Sequence, residues 1–347
     1  MYSRTLDYYL FNRLGYTPFK WISAKHGLIK SGERELASMS KSAAFNAFKS
    51  SAIISWKSTG NLQKTISKCI QISGIGLHSG KQTRVQISPE FAGKGRYFEV
   101  NAGVIPASVD FVRESPLCTQ LCKDGFTIRT VEHLLSALEA SGVDNCRIHV
   151  DSDDRNDREF EVPILDGSAR EWVEAIDEAG LDDAVDEKGK SFEKMTPFLN
   201  APVCVKRNDS FLAAFPSSKL LITYGINFSE VPSIGCQWFS CTPEKSFYRT
   251  DIASSRTFCV YEEVERMREM GLIKGGSMEN AIVCSASDGW LNPPLRFDDE
   301  PCRHKVLDLI GDLSLFAKSG SQGVPVAHIV AYRAGHALHA DLLRNFS

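Results

Sequence analysis

Apolar positions along the chain fall into two rhythms, and the pair of rhythms is run through twice. Between residues 62 and 190, short or alternating apolar runs at Gln63–Ile72, Thr83–Ser88, Tyr97–Val100, Cys146–Val150 and Val162–Leu165 predict strands. Helical spacing interrupts them twice. Thr130–Ala140 sets Val131, Leu134, Leu135 and Leu138 on one stripe, with Thr130 as the expected N-cap and Ser141–Gly142 as the stop. A second helix passes through Trp172, Val173 and Ile176 to Gly180, after a turn and cap at Asp166–Ser168. Residues 195–347 repeat the order. Strands are expected at Pro202–Arg207, Phe211–Pro216, Leu220–Phe228 and Cys236–Phe239, then a charged helix Tyr261–Met270 and a strand Ala281–Cys284. A helix Cys302–Lys318, a buried strand Ala327–Tyr332 and a final helix His336–Asn345 complete the chain. The polar run Asp182–Lys190 is the expected linker. Serial strands followed by packed helices predict an α+β fold of two similar domains, 62–190 and 195–347, each with a mainly antiparallel sheet. No identity between the two halves is visible in the residues themselves.

Helix Cys302–Lys318 carries the first chemistry. His304, Asp308 and Asp312 stand at i, i+4 and i+8, so an imidazole and two carboxylates share one face. Zn2+ takes both ligand types, and a catalytic site needs three protein ligands, so this helix supplies two and a third must come from elsewhere. A plain hydrogen-bonded His–Asp pair at a domain edge fits the same spacing. In the first turn of Thr130–Ala140, Glu132 and His133 are adjacent, where the helix field favours a carboxylate and a neutral imidazole. The inverted zinc-protease pattern H-x-x-E-H fails because position 129 is Arg129. The segment GIGLHSGK, Gly74–Lys81, fails as a P-loop, with Ile75 at the first glycine position and Gln82 after the lysine. It reads as a glycine-rich turn whose His78 is either a substrate contact or a solvated loop histidine. His149 and His328 lie in strand-like runs, and His339, one turn after His336, is expected to be solvated. No G-x-S-x-G supports an esterase triad.

Charge and cysteine use narrow the classes. The net charge is −3 with no long single-sign block, so no nucleic-acid surface is indicated. No apolar run reaches 18 residues, so no transmembrane helix is expected. The 10 cysteines are scattered with no C-x-x-C pair, which indicates reduced thiols in a reducing compartment. Residues 1–60 differ from the rest: nine Lys or Arg against three acids, with ten serines, leave +6 there and −9 in the remainder. A basic, Ser-rich, acid-poor start without an apolar core predicts a mitochondrial transit peptide cleaved before Gln63, with a plastid presequence or a plain disordered basic tail as alternatives.

Five segments taken in order, TVEHLLSALEASGVDN, VPILDGSA, SRTF, RHKVLDLIGD and AGHAL, are similar to the UDP-3-O-acyl-N-acetylglucosamine deacetylases. The resemblance spans about residues 62–347, with the extension of an organellar plant-type member. It implies two similar α+β domains with helices packed between two sheets and the metal at their interface. It implies zinc on His133, His304 and Asp308, Glu132 as general base, His336 as general acid oriented by Asp312, and Thr257 at the oxyanion. Lys305, Phe228, Phe258 and His78 would contact substrate, and an insert at about 258–284 would take the acyl chain. Val260, Val264 and Ile273 keep that insert apolar, while Lys274 and Pro116 depart from the pattern and leave chain length open. The implied partner is an acylated UDP-sugar, with no nucleic acid, membrane contact only peripheral through the lipid substrate, and a monomer as the default. Two readings stay open beside hydrolysis of the acetyl group: a zinc amidase for another N-acetylated sugar, and a protein of this fold that binds without turnover.

Overall fold

The computed structural model describes residues 48, 50–101, 103–115, 117–151 and 156–346. Pro116 and nearly all of the basic leader lie outside the described residues.

The two halves share one topology. In the first sheet the strands lie in the order Ile70–Ile75, Gln82–Pro89, Cys146–Asp151, Arg96–Val100, Gly103–Pro106. In the second the order is Val203–Arg207, Ser210–Pro216, Ala327–Tyr332, Leu221–Phe228, Gly235–Cys241. Each time, the strand that comes last in the chain inserts at the centre, antiparallel to the second strand and parallel to the third. The remaining pairs are antiparallel hairpin partners. Alternate residues of a strand face the same side, so Val85, Ile87, Phe98, Ile148 and Val150 are buried from one sheet and Leu212, Ala214, Ile222, Ile329 and Ala331 from the other.

Helices fill the layer between. They are α1 (Glu132–Ser141), α2 (Arg170–Ala179), α3 (Lys245–Asp251), α5 (Glu300–Leu313) and α6 (His336–Arg344), while α4 (Tyr261–Glu269) packs instead on the short strands Phe258–Val260 and Ile282–Ser285. α5 lies against Leu221–Phe228 and Gly235–Cys241, α6 against Val203–Arg207 and Ser210–Pro216, and α2 against Ile70–Ile75. α1 and α5, one from each half, pack on each other at the centre. α5 is buried on nearly its whole circumference, with only Arg303 and Lys305 partly exposed, as expected of a central helix. Gly311 makes the crossing close: a Cβ there would lie 2.1 Å from the Glu132 carbonyl oxygen. Ser136 Oγ donates to the Leu307 carbonyl across the same seam at 2.8 Å. Gly311→Val must therefore push α1 off α5. The expected cost is that of an overpacked core, about 1–3 kcal/mol, together with weaker metal retention, as the expected ligand role of His133 on α1 requires. A urea midpoint and a metal assay after dialysis check both.

Several expectations are corrected. Thr130 is not the N-cap of α1: it holds φ +57 and its hydroxyl donates to Glu161 Oε1 at 3.0 Å, so Val131 takes the cap position without a side-chain bond. The helix expected to reach Lys318 stops at Leu313 and tightens into a 3-10 turn, Ser314–Phe316. The run Gln63–Ile72 divides into Lys64–Ile66 and Ile70–Ile75. The Asp182–Lys190 segment is held rather than free, since Leu181–Asp183 pairs with Lys64–Ile66 and the Asp186 carboxylate accepts from the Lys188 and Lys190 amides. Residues 54–60, which composition assigns to the leader, belong to a strand, Ile54–Leu62, paired with Glu193–Leu199. Trp56 from that strand stacks on Phe316, with ring centroids 5.6 Å apart.

Candidate metal and acid–base site

The α1–α5 crossing brings three electron-pair donors together. His133 Nε2 lies 3.5 Å and His304 Nε2 3.4 Å from the same atom, Asp308 Oδ1. The two imidazoles meet edge to face at 4.9 Å, and all three side chains are buried. His304 Nδ1 faces the Ser255 carbonyl at 3.0 Å, so this nitrogen carries the proton and Nε2 presents a lone pair. Burial, with His133 adding to it against Asp308, drives the His304 pKa down to about 4, which keeps the ring neutral at pH 7. Asp308 Oδ1 has no hydrogen-bond partner. The His304 Nε2 lone pair and the unpartnered Asp308 Oδ1 repel each other unless a cation lies between them, and two imidazoles plus a carboxylate suit a divalent metal. Asp308 Oδ2 accepts from Lys305 Nζ at 2.7 Å. Burial opposes the Asp308 carboxylate, but His304 and Lys305 outweigh it and hold the group well below the ordinary range.

Glu132 and His336 face the same spot. His336 Nε2 lies 3.9 Å from Glu132 Oε1. Burial raises the Glu132 carboxyl to about 7, against the pull of His336 and His133. His336 Nδ1 meets Asp312 Oδ2 at 2.7 Å. Burial works against the imidazolium, yet the Asp312 charge and hydrogen bond, with Glu132 and Asp308 behind them, outweigh it and raise His336 to about 9. Both groups move upward together, so the imidazole keeps its proton at a pH where the carboxyl has lost its own, which suits an acid beside a base.

Apart from Asp312, these side chains line a cavity of about 300 Å3. Thr257 and His78 stand on its wall, and so do Phe228 and Phe258, whose rings meet edge to face at 5.4 Å. Val260, Met267, Met270, Leu272 and Ile273 line the part that lies on the segment 258–284, while Val264 is not on the wall. Thr257 is tied into the VPILDGSA turn, its amide donating to the Gly167 carbonyl at 2.7 Å. Of the residues expected at the site, only Asp312 is off the cavity, one hydrogen bond behind His336.

The alternatives offered for two histidines are corrected. His78 is no solvated loop residue: it is 1 % exposed, its Nδ1 accepts from the Ile273 amide at 3.4 Å, and burial lowers its pKa against Glu161. His339 is buried and places Nδ1 2.7 Å from Asp312 Oδ2. Its position three after His336 on α6 was the available signal, because such residues share a helix face. The Lys305 ammonium is on the cavity wall but bonded to Asp308. Thr119, whose amide donates to Glu132 Oε2 at 3.0 Å, carried no signal at all, since it belongs to no motif.

Residues 63–347 match the family model described as UDP-3-O-acyl N-acetylglycosamine deacetylase, LpxC. Among curated relatives, a protein of Arabidopsis thaliana named "Probable UDP-3-O-acyl-N-acetylglucosamine deacetylase 1, mitochondrial" is 60% identical over 304 residues, 87% of this chain and 93% of that protein. UDP-3-O-acyl-N-acetylglucosamine deacetylases of Trichormus variabilis and Synechocystis sp. are 45% and 43% identical, over 81% and 82% of this chain and 96% and 98% of theirs.

Proposed function

The chain belongs to the UDP-3-O-acyl N-acetylglycosamine deacetylase family, and from that premise we propose that it hydrolyses the N-acetyl group of a UDP-3-O-acyl-N-acetylglucosamine, releasing acetate and the free amine, with Zn2+ on His133, His304 and Asp308. The observation that carries this reading is the convergence of His133, His304 and Asp308 beside the Glu132–His336 pair on the wall of a largely apolar cavity. Zinc, when bound there, supplies a Lewis acid that polarises the acetyl carbonyl and acidifies the attacking water. Glu132 Oε1 accepts the proton of that water. His336 Nε2 delivers a proton to the amide nitrogen, without which the amine does not leave. Asp312 holds the His336 ring and stabilises its charged form. Thr257, on the wall, donates its hydroxyl to the developing oxyanion. The Phe228–Phe258 pair and His78 contact the substrate, and the apolar stretch Val260–Ile273 takes the acyl chain. Lys305 faces the nucleotide-sugar side while its bond to Asp308 restrains that ligand. The basic composition of residues 1–60 and the mitochondrial relatives support delivery to the mitochondrion. None of the helices among the described residues is long and apolar enough to cross a membrane.

The purified protein is expected to release acetate from UDP-3-O-acyl-N-acetylglucosamine, to stop after chelation and to resume on addition of zinc. A folded, zinc-loaded protein that releases none would remove the substrate assignment. The rate should be bell-shaped in pH. Activity needs Glu132 ionised, so it rises through that group's pKa of about 7, and needs His336 protonated, so it falls through about 9. A bound dication favours the carboxylate and disfavours the imidazolium, which moves both limbs to lower pH. A rate that climbs without an alkaline limb would contradict the assignment of His336.

A further inference from the structure

One residue touches both arms of the acid–base pair. Thr119 lies in the segment before the strand Gln120–Lys123 and is 3 % exposed. Its amide donates to Glu132 Oε2 at 3.0 Å. Its hydroxyl donates to Asp312 Oδ1, and the same oxygen lies 3.1 Å from His336 Nδ1. We infer that Thr119 is a positioning residue that locks Glu132 and His336 in register with each other. The inference rests on the reading of these two groups as base and acid.

The chemistry follows from a proton inventory. A threonine hydroxyl has one proton. Here that proton is committed to Asp312 Oδ1, so towards His336 the Thr119 oxygen can only accept. Asp312 Oδ2 is likewise an acceptor and lies 2.7 Å from His336 Nδ1. Nδ1 therefore faces two acceptors and carries the proton in either charge state, and Nε2 is the nitrogen left to face Glu132 and the cavity. The carboxylate is held as firmly as the ring. Among the described residues Thr119 is the donor to Asp312 Oδ1, while Oδ2 takes the Nδ1 atoms of both His336 and His339, the latter also at 2.7 Å. Without the hydroxyl, Oδ1 is a buried oxygen with no partner, and the carboxylate gains by rotating towards whatever donor it can reach. The His336 ring turns with it. On the other arm, the amide occupies Glu132 Oε2 and leaves Oε1 directed at His336. Both bonds leave from one residue, so a shift of the loop moves base and acid together.

Side-chain replacement tests the hydroxyl alone, because the amide survives every substitution except proline. Thr119→Val keeps shape and removes the hydroxyl, and Thr119→Ser keeps the hydroxyl and removes the methyl. The expected result for Thr119→Val is a kcat lower by about 10- to 100-fold, the effect of an outer-shell partner, with KM and bound zinc within about twofold of the parent and with Thr119→Ser close to the parent. Should valine crowd the buried loop, seen as lost zinc or a lowered melting temperature, Thr119→Ala removes the same hydroxyl without bulk and is judged by the same criteria. Parental kcat in the variant lacking the hydroxyl overturns the inference, and so does a serine variant as slow as the valine one, which would reduce Thr119 to packing. A second readout needs no turnover: the downfield ring N–H proton of His336, identified by its absence in His336→Gln, should shift or broaden in Thr119→Val. If the parent protein releases no acetate, the reading of function fails separately, and an unchanged His336 resonance in Thr119→Val then overturns the positioning role on its own.

Discussion

His304→Ala is expected to lose both its zinc and its acetate release, the latter by more than the roughly 10- to 100-fold attached to an outer-shell partner of a metal ligand. The surroundings of His304 prepare its Nε2 for that proposed role. The Ser255 carbonyl takes the Nδ1 proton at 3.0 Å, and burial keeps the ring neutral, so no proton has to be displaced from Nε2 at pH 7. With alanine there, His133 and Asp308 remain as two donors, and Lys305, already 2.7 Å from Asp308 Oδ2, is placed to capture the carboxylate. Zinc per protein after dialysis and acetate release should fall together. His149→Ala, at a half-exposed histidine of the first sheet paired with Asp151, should leave both unchanged. Full zinc content in His304→Ala would remove this residue from the ligand set.

The other large effect belongs to His336→Gln. Glutamine has no titrating proton to give, and general acid catalysis is worth about 100- to 10,000-fold, so kcat should fall by that order while zinc content stays at the parental level. The pH dependence separates this from a mere packing defect. His336 is held at about 9 because Asp312 and its hydrogen bond outweigh burial. Its protonated form therefore persists through neutrality and is lost as pH rises through that value. In the variant this alkaline fall should vanish, while the acid limb set by Glu132 remains. An alkaline limb that persists in His336→Gln would assign it to another group.

The same pair of arguments explains why an acid and a base so close together do not cancel each other. Glu132 and His336 are 3.9 Å apart, a carboxylate facing an imidazolium when both are charged. Burial lifts the carboxyl and Asp312 lifts the imidazole by about as much, so the ring still keeps its proton over the range in which the carboxyl has lost its own. A cation on His133, His304 and Asp308 would favour the carboxylate and disfavour the imidazolium, lowering both.

The elements and most of the chemistry were legible in the residues because both depend on local spacing. A period of two marks the strands of both sheets, and a period of 3.6 marks α1, α2, α5 and α6. His304 and Asp308 are four apart, so any helix through them puts both on one face. Glu132 and His133 had to stand at a helix start, since the apolar stripe begins there. Tertiary structure alone decided what lies across the chain. The strand order, with the last strand of each half at the centre of its sheet, leaves no trace in periodicity because it is a matter of pairing between distant segments. Thr130 reads as an N-cap from its type and position, but Glu161, 31 residues later, takes its hydroxyl. His339 reads as solvated until Asp312 on α5 is brought against it. Thr119 is an ordinary threonine whose partners lie 13 and 193 residues away. Only the crossing shows that α1 fits against α5 because position 311 has no side chain. Local sequence determined which groups could act and which way each faces along its own element. Packing of α1 on α5 decided which of them meet, because burial and hydrogen bonding between distant segments set both the positions and the charges of the groups at the site.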